Sequence, residues 1–266
     1  MQENSALGRA LDLVRDLRAR CPWDRVQTRS TLRPYLVEEA LELDEALASG
    51  DGDRIKEEVG DLLLHLAWQF VLAEESREFT PDDAADRLIA KMRRRHPHLF
   101  DLGPRESWET LKRRETRRGV LDGLPATLPS LQMSYRLQQK AASVGFDWPD
   151  TAGPAAKVRE ELAEVEAELE LAGANAVGEA GGADSGVERD AGDPLVEEIG
   201  DLLFAVVNLA RKTRVQPTVA LDRANRKFRR RFETVESLSA SRGIDLATAG
   251  LDVLDGMWEE AKRGEK

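Results

Sequence analysis

Glu39 and Glu42 stand three residues apart in VEEALELDEAL (37–47), and Glu58 and Asp61 stand three apart in EEVGDLL (57–63). Residues three and four apart share one face of a helix. Each pair therefore projects together, with Glu38 flanking the first, and an antiparallel helical hairpin brings the four carboxylates face to face. Converging carboxylates repel one another unless a positive charge lies between them. A ligand set of oxygens without Cys or His suits Mg²⁺, with Mn²⁺ the alternative, rather than zinc. The arrangement occurs twice: Glu161 and Glu164, flanked by Glu160 in REELAEVEAEL (159–169), precede Glu198 and Asp201 in EEIGDLL (197–203). A lone ExxE or ExxD arises by chance in many helical proteins, and acidic helices are usually solvated. Here the strongly apolar runs LLLHLAWQF and LLFAVVNLA follow each Asp. Both helices are thus expected to be largely buried, where an ionised carboxylate needs a partner. That placement, repeated with matching spacing, favours two metal sites.

Basic and aromatic residues form a second set. Lys91 and Arg95 stand four apart in KMRRR, as do Lys227 and Arg231 in KFRRR, and each pair could hold polyphosphate oxygens. Arg93, Arg94, Arg229 and Arg230 read as a solvated face. Trp258 with Lys262 (WEEAK), matched by Trp108 with Lys112 (WETLK), sets an aromatic surface one turn from a cation. Stacking on a base and contacting a phosphate suits that pair, although Trp more commonly anchors packing. CPWD (21–24) and GFDW (145–148) place a Trp beside an Asp ahead of each acidic helix and are expected to be structural or to line a base pocket. Gly60 and Gly200 are expected to permit close helix packing.

These motifs recur in one order, so the chain reads as two tandem copies of a helical domain, roughly 1–120 and 121–266. Apolar residues at helical spacing predict helices over 5–20, 34–48, 53–74, 81–95 and 105–118, then 130–143, 154–171, 194–212, 217–236 and 252–263. Ser49-Gly50-Asp51-Gly52-Asp53 is a tight turn, which makes the first acidic pair of helices an antiparallel hairpin. No segment alternates long enough to require a strand, and the fold class is all-α. The stretch 173–193, rich in Gly, Ala and Asp, replaces that short turn in the second copy and is expected to be a flexible insert.

Composition excludes several functions. With 50 acidic and 39 basic residues the net charge is −11, which argues against broad nucleic-acid binding. One Cys rules out a disulfide scaffold or a thiolate zinc cluster. The N-terminal segment lacks a signal-peptide pattern, no apolar run reaches membrane-spanning length, and a cytoplasmic location is the expectation.

EExxE (38–42 and 160–164) followed by ExxD (58–61 and 198–201) resembles the signature of the MazG nucleoside triphosphate pyrophosphohydrolases. The likeness extends to CPWDRVQT, RRHPHLF, VGFDW, EEIGDLLFAVVNLAR, ANRKFRRRF and WEEAKR, nearly the whole chain outside the insert, and points to the two-domain form. It implies a helical homodimer, Mg²⁺ dependence, and cleavage of nucleoside triphosphate to nucleoside monophosphate and pyrophosphate in the upkeep of nucleotide pools. By motif position it implies Glu161, Glu164, Glu198 and Asp201 as metal ligands, with Glu39, Glu42, Glu58 and Asp61 as their first-copy counterparts. Lys157, Lys227, Arg231, Trp258 and Lys262 become nucleotide contacts, with Lys91, Arg95, Trp108 and Lys112 as counterparts. Glu160 or Glu161 would orient or deprotonate the attacking water, while Lys157, Lys227, Arg231 and Lys262 offset charge on the leaving pyrophosphate. Lys157 precedes Glu161 by four residues, but Tyr35 holds that position before Glu39, so the second copy is expected to be the working site. Two other readings remain: a dUTP, dCTP or phosphoribosyl-ATP pyrophosphohydrolase of the same superfamily, or a non-catalytic helical dimer that binds nucleotide or a protein partner.

Overall fold

A computed structural model describes residues 5–100, 102–106, 108–111, 119–176, 189–190 and 192–264, with only the backbone of 173–176. Among the described residues the regular structure is helical throughout, and no strand occurs. The chain divides into two compact units, Met1–Glu106 and Ser107–Lys266. The sequence suggested a boundary near 120. Residues 108–111 fall with the second unit, where Glu109 accepts a hydrogen bond from Arg136 at 2.7 Å and lies 3.7 Å from Lys140.

The first unit runs α1 (Ala6–Arg20), the short α2 (Pro22–Arg25), α3 (Arg29–Ser49), α4 (Gly52–Glu75) and α5 (Pro81–Arg95). Side-chain oxygens of Ser5, Thr28, Asp51 and Thr80 cap the backbone at four of these starts. Helix α3 begins five residues before the expected 34. The reciprocal bonds of Thr28 and Thr31 start it, and Pro34 lies inside. Gly50, at φ 75°, takes the left-handed conformation that ends α3 and allows the tight turn into α4. Helices α3 and α4 form the antiparallel hairpin expected for them. Helix α1 lies on α4 around a core of Leu11, Val14, Leu32, Ala67, Trp68 and Val71.

The second unit runs α6 (Ser130–Ala142), α7 (Ala152–Ala176), α8 (Pro194–Lys212), α9 (Pro217–Arg242) and α10 (Leu251–Gly264). Helices α7 and α8 pack along each other, α6 lies on α8, and α9 joins α10 around Val235, Met257 and Ala261. Helix α9 runs six residues past the expected 236, until Gly243 turns left-handed at φ 62°. Helix α7 continues through Ala176, into the stretch read as a flexible insert, because Ala-rich sequence sustains a helix. At its far end Asp193 caps α8 and pairs with Arg189 at 2.8 Å. Residues 177–188 and 191 lie outside the described residues, as do Lys112 and the rest of the helix expected to 118.

Two packing expectations are corrected. A Cβ at Gly60 or Gly200 would meet nothing within 4 Å among the described residues, so neither glycine marks a close helix approach in this chain. The close approach is at Gly153, where a Cβ would overlap the ring of Trp148. The apolar runs after Asp61 and Asp201 are also not buried all round. Val196, Ile199, Leu203 and Val206 leave an exposed apolar stripe along α8, and Val59 and Leu66 are exposed on α4. Each run is apolar on more faces than its packed neighbours cover. No helix among the described residues is long and apolar enough to cross a membrane.

Candidate metal centre

The α3–α4 hairpin brings oxygens of Glu39, Glu42 and Glu58 within 4.8 Å of one another. The antiparallel register sets Asp61 to act on Glu39 and Glu42 to act on Glu58. Glu39 is held above its ordinary pKa by burial first, then by the charge of Asp61; Glu58 is raised by burial, then by Glu42. Asp61 is one turn further along α4 and is not a member of the three-carboxylate cluster. Beside it lies a residue that sequence reasoning passed over. His65 is buried, its Nε2 is 3.9 Å from Glu39, and burial lowers its pKa, which favours the neutral ring. Its Nδ1 finds no hydrogen-bond partner among the described residues.

The α7–α8 hairpin repeats the arrangement with Glu161, Glu164 and Glu198. Here too the aspartate, Asp201, stands outside the cluster, yet its charge helps raise the pKa of Glu198, second only to burial. The second centre differs from the first in having an ammonium group. Lys157 Nζ lies 2.5 Å from Glu161 and 2.9 Å from Glu160. The hydrogen bond from Lys157 is the chief cause that lowers the pKa of Glu161, whereas the contact with Glu161 raises that of Glu164. Lys157 in turn is raised well above the ordinary lysine value, chiefly by its bond to Glu161. Glu161 itself is only 4% exposed, so its charge is set in the wall between the helices rather than in open solvent. An all-carboxylate donor set this compact fits a hard divalent cation, which prefers oxygen ligands.

Among the described residues, the Lys227 and Lys262 ammonium groups form no ion pair with the two carboxylate clusters. Arg231 lies over the ring of Trp258 at 5.9 Å, and Lys262 pairs with Glu259 at 2.5 Å. Trp258 packs against the core of Val235, Met257 and Ala261, with Phe228 5.2 Å away. Arg231 and Phe228 thus both lie beside its indole ring. Lys91 and Arg95 are half-buried on α5, and Trp108 is 40% exposed.

The two Trp-Asp motifs diverge. In CPWD, Asp24 is buried, and Arg18 donates to the carbonyls of residues 24, 25 and 27. In GFDW, Asp147 bonds the side chains of Arg211 and Lys212, and Arg211 chiefly lowers its carboxyl from 3.8 to about 2. A depressed carboxyl contributes stability above its unfolded value, and that contribution is lost as pH falls from 3.8 through about 2. Asp147→Asn is expected to lower stability near neutrality by about 1 kcal/mol, because solvent around this exposed residue screens much of the interaction. Melting curves of parent and variant should converge as pH falls through that window; a constant gap down to the acid limit would disprove the linkage.

Two acidic helical hairpins, each with three carboxylates close enough to share one cation and one with a lysine bonded among them, define the class of protein. Residues 27–100 match the MazG nucleotide pyrophosphohydrolase domain. The chain is 39% identical to the nucleoside triphosphate pyrophosphohydrolase/pyrophosphatase MazG of Thermotoga maritima, over 92% of this chain and 91% of that protein. It is 37% identical to the nucleoside triphosphate pyrophosphohydrolase of Escherichia coli K12, over 95% and 94%. A Bacillus subtilis protein called YabN is 38% identical over 96% of this chain and 51% of its own length. The chain belongs to the MazG nucleotide pyrophosphohydrolase family.

Proposed function

We propose that this chain hydrolyses nucleoside triphosphates to nucleoside monophosphates and pyrophosphate, that Mg²⁺ supports the reaction, and that the second copy is the working site. The observation that carries the proposal is the compact Glu161, Glu164 and Glu198 cluster with Lys157 bonded into it. It occurs in a chain similar over nine-tenths of its length to enzymes named for this reaction. Glu161, Glu164 and Glu198, with Asp201 beside them, would hold the ion, which when bound supplies neutralisation and orientation of the phosphates. Water attacks the α-phosphorus, the α–β anhydride bond breaks, and pyrophosphate leaves. Glu160, exposed at the edge of the cluster, or Glu161 accepts the proton from that water. Lys157 exchanges its carboxylate partner for a phosphate oxygen and offsets charge on the leaving group. Lys227, Arg231 and Lys262 would add contacts to the phosphates of the bound nucleotide. A homodimer fits the apolar stripe of Val196, Ile199, Leu203 and Val206. The activity belongs in the cytoplasm, where free nucleotides are made and used.

A panel of ribo- and deoxyribonucleoside triphosphates, with dUTP, dCTP and phosphoribosyl-ATP included, tests the reading. The expected products are monophosphate and pyrophosphate in equal amounts from several bases. Release of orthophosphate, turnover of phosphoribosyl-ATP alone, or no turnover of any member would overturn it.

A further inference from the structure

Past their aspartates, α4 and α8 diverge. Counted from the matching Asp61 and Asp201, the counterpart of His65 is Ala205, and that of Trp68 is Asn208. Asn208 lines a cavity of about 550 Å³ between α6, α8 and the GFDW loop. Trp68 is 2% exposed and packed with Leu11 and Val14, so the first copy is filled at that point. His65, one turn before Trp68, is held in the same dense wall and is 5% exposed.

Each copy sets one nitrogen beside a glutamate of its cluster, and the two nitrogens differ in kind. In the second copy it is the Lys157 ammonium, 2.5 Å from Glu161. In the first, Tyr35 replaces that lysine, and the nitrogen is His65 Nε2, 3.9 Å from Glu39. An ammonium offsets the carboxylate it touches. A neutral imidazole does not, but its lone pair binds metal ions. At 3.9 Å the ring is beyond hydrogen-bond reach of Glu39, and Nδ1 finds no partner among the described residues. A polar ring so deeply buried and so poorly bonded points to a ligand, an ion or a water. Glu39 decides for the ion. Its charge is crowded by Asp61, Glu42 and Glu58, which a cation relieves and a water does not.

The geometry suits such an ion. Two ligands each about 2.1 Å from one metal lie at most about 4.2 Å apart. The 3.9 Å between His65 Nε2 and Glu39 falls within that limit. Asp61 supplies a third donor. It stands four residues before His65 on the same face of α4, and its charge acts on both His65 and Glu39. His65 is not a member of the Glu39, Glu42 and Glu58 group, so the ion it binds lies beside that cluster and not at its centre. Imidazole suits the later first-row metals, whereas Mg²⁺ prefers oxygen.

We propose that Glu39, Asp61 and His65 form a cation site of the first copy alone, adjoining its three-carboxylate cluster through Glu39, and that the imidazole selects a divalent transition-metal ion over Mg²⁺. The site needs no nucleotide and stands apart from the reaction proposed for the second copy.

Zn²⁺ is the probe, titrated without nucleotide into the whole chain in excess Mg²⁺ against a competing chromophoric chelator. One tight Zn²⁺ per chain is expected. Changing a group that merely orients a metal ligand costs about ten- to a hundredfold in affinity. Loss of a ligand in His65→Ala should therefore weaken the tight Zn²⁺ by about a hundredfold or more. His65→Leu, which fills the space without the nitrogens, should do the same while melting like the parent in the absence of metal. Glu198→Gln, in the other copy, should leave the tight site unchanged. So should His96→Gln combined with His98→Gln, which removes the remaining histidines. X-ray absorption of the Zn²⁺-loaded parent should show scattering from one imidazole, lost in His65→Leu. A parent without a tight Zn²⁺ site, affinity that survives both His65 variants, or loss of the site in the His96 and His98 variant would overturn the proposal. None of these readings involves release of pyrophosphate, so failure here and failure of the proposed reaction are distinguishable.

Discussion

Glu198→Gln is expected to lower kcat at least about a hundredfold, equivalent to ~2.7 kcal/mol of transition-state stabilisation. The change removes one charge from the Glu161, Glu164 and Glu198 cluster while nearly preserving volume, so α8 should pack as before. A ligand that helps place the α-phosphate acts mainly in the transition state, and its loss appears in kcat more than in folding. Glu58→Gln is the same change in the first copy, where Tyr35 stands in place of Lys157 and Trp68 in place of Asn208. It should cost little activity. Melting curves must accompany the kinetics, because unequal loss of stability would mimic the effect. If Glu58→Gln abolishes turnover and Glu198→Gln leaves it intact, the assignment of the working copy is reversed. Two fully active variants would remove the carboxylates from the chemistry.

Chelation of divalent ions should stop turnover altogether, and Mg²⁺ or Mn²⁺ should restore it. Binding to the folded chain alone adds stability, about 2.7 kcal/mol at a hundred times the dissociation constant, so either ion should also raise the melting temperature. The rise should shrink in Glu198→Gln. Protonation opposes binding of the ion, and Glu164 and Glu198 both sit above the ordinary carboxylate value, so metal affinity should fall as pH drops toward their raised pKa values. Turnover that survives chelation, or a melting temperature indifferent to both ions, refutes a metal-dependent site.

What the sequence made legible was local. Spacings of three and four placed Glu39 with Glu42, and Glu161 with Glu164 and Lys157, because one helix decides those neighbours. The turn at Gly50 fixed the hairpin that opposes them. Asp61 and Asp201 were legible as members of the acidic faces, but their distance from the other oxygens depends on how two helices diverge, which no single-helix pattern encodes. Thr28 was missed as a start of α3 because its partner is Thr31 rather than the Glu or Gln of the usual capping box. The interactions of Arg231 and Trp258 follow from α9 lying on α10, and the sequence offered only their types. The cavity was hidden for a further reason: it is space left between elements, and no residue spells out a void. Its one written trace was Asn208 set against Trp68 once the repeats were aligned.

That pair of residues shows what a doubled gene permits. An opening forfeits the cohesion its walls would gain from touching one another, so a single-copy ancestor must keep its guest site hollow and bear the loss everywhere it folds. With two copies the halves can drift in opposite directions. In the half with Trp68, the ring is 2% exposed and packs with Leu11 and Val14, so the interior is dense at that position. In the half with Asn208 the same filling would shut the door. One half is thus filled at the position where the other lines an opening.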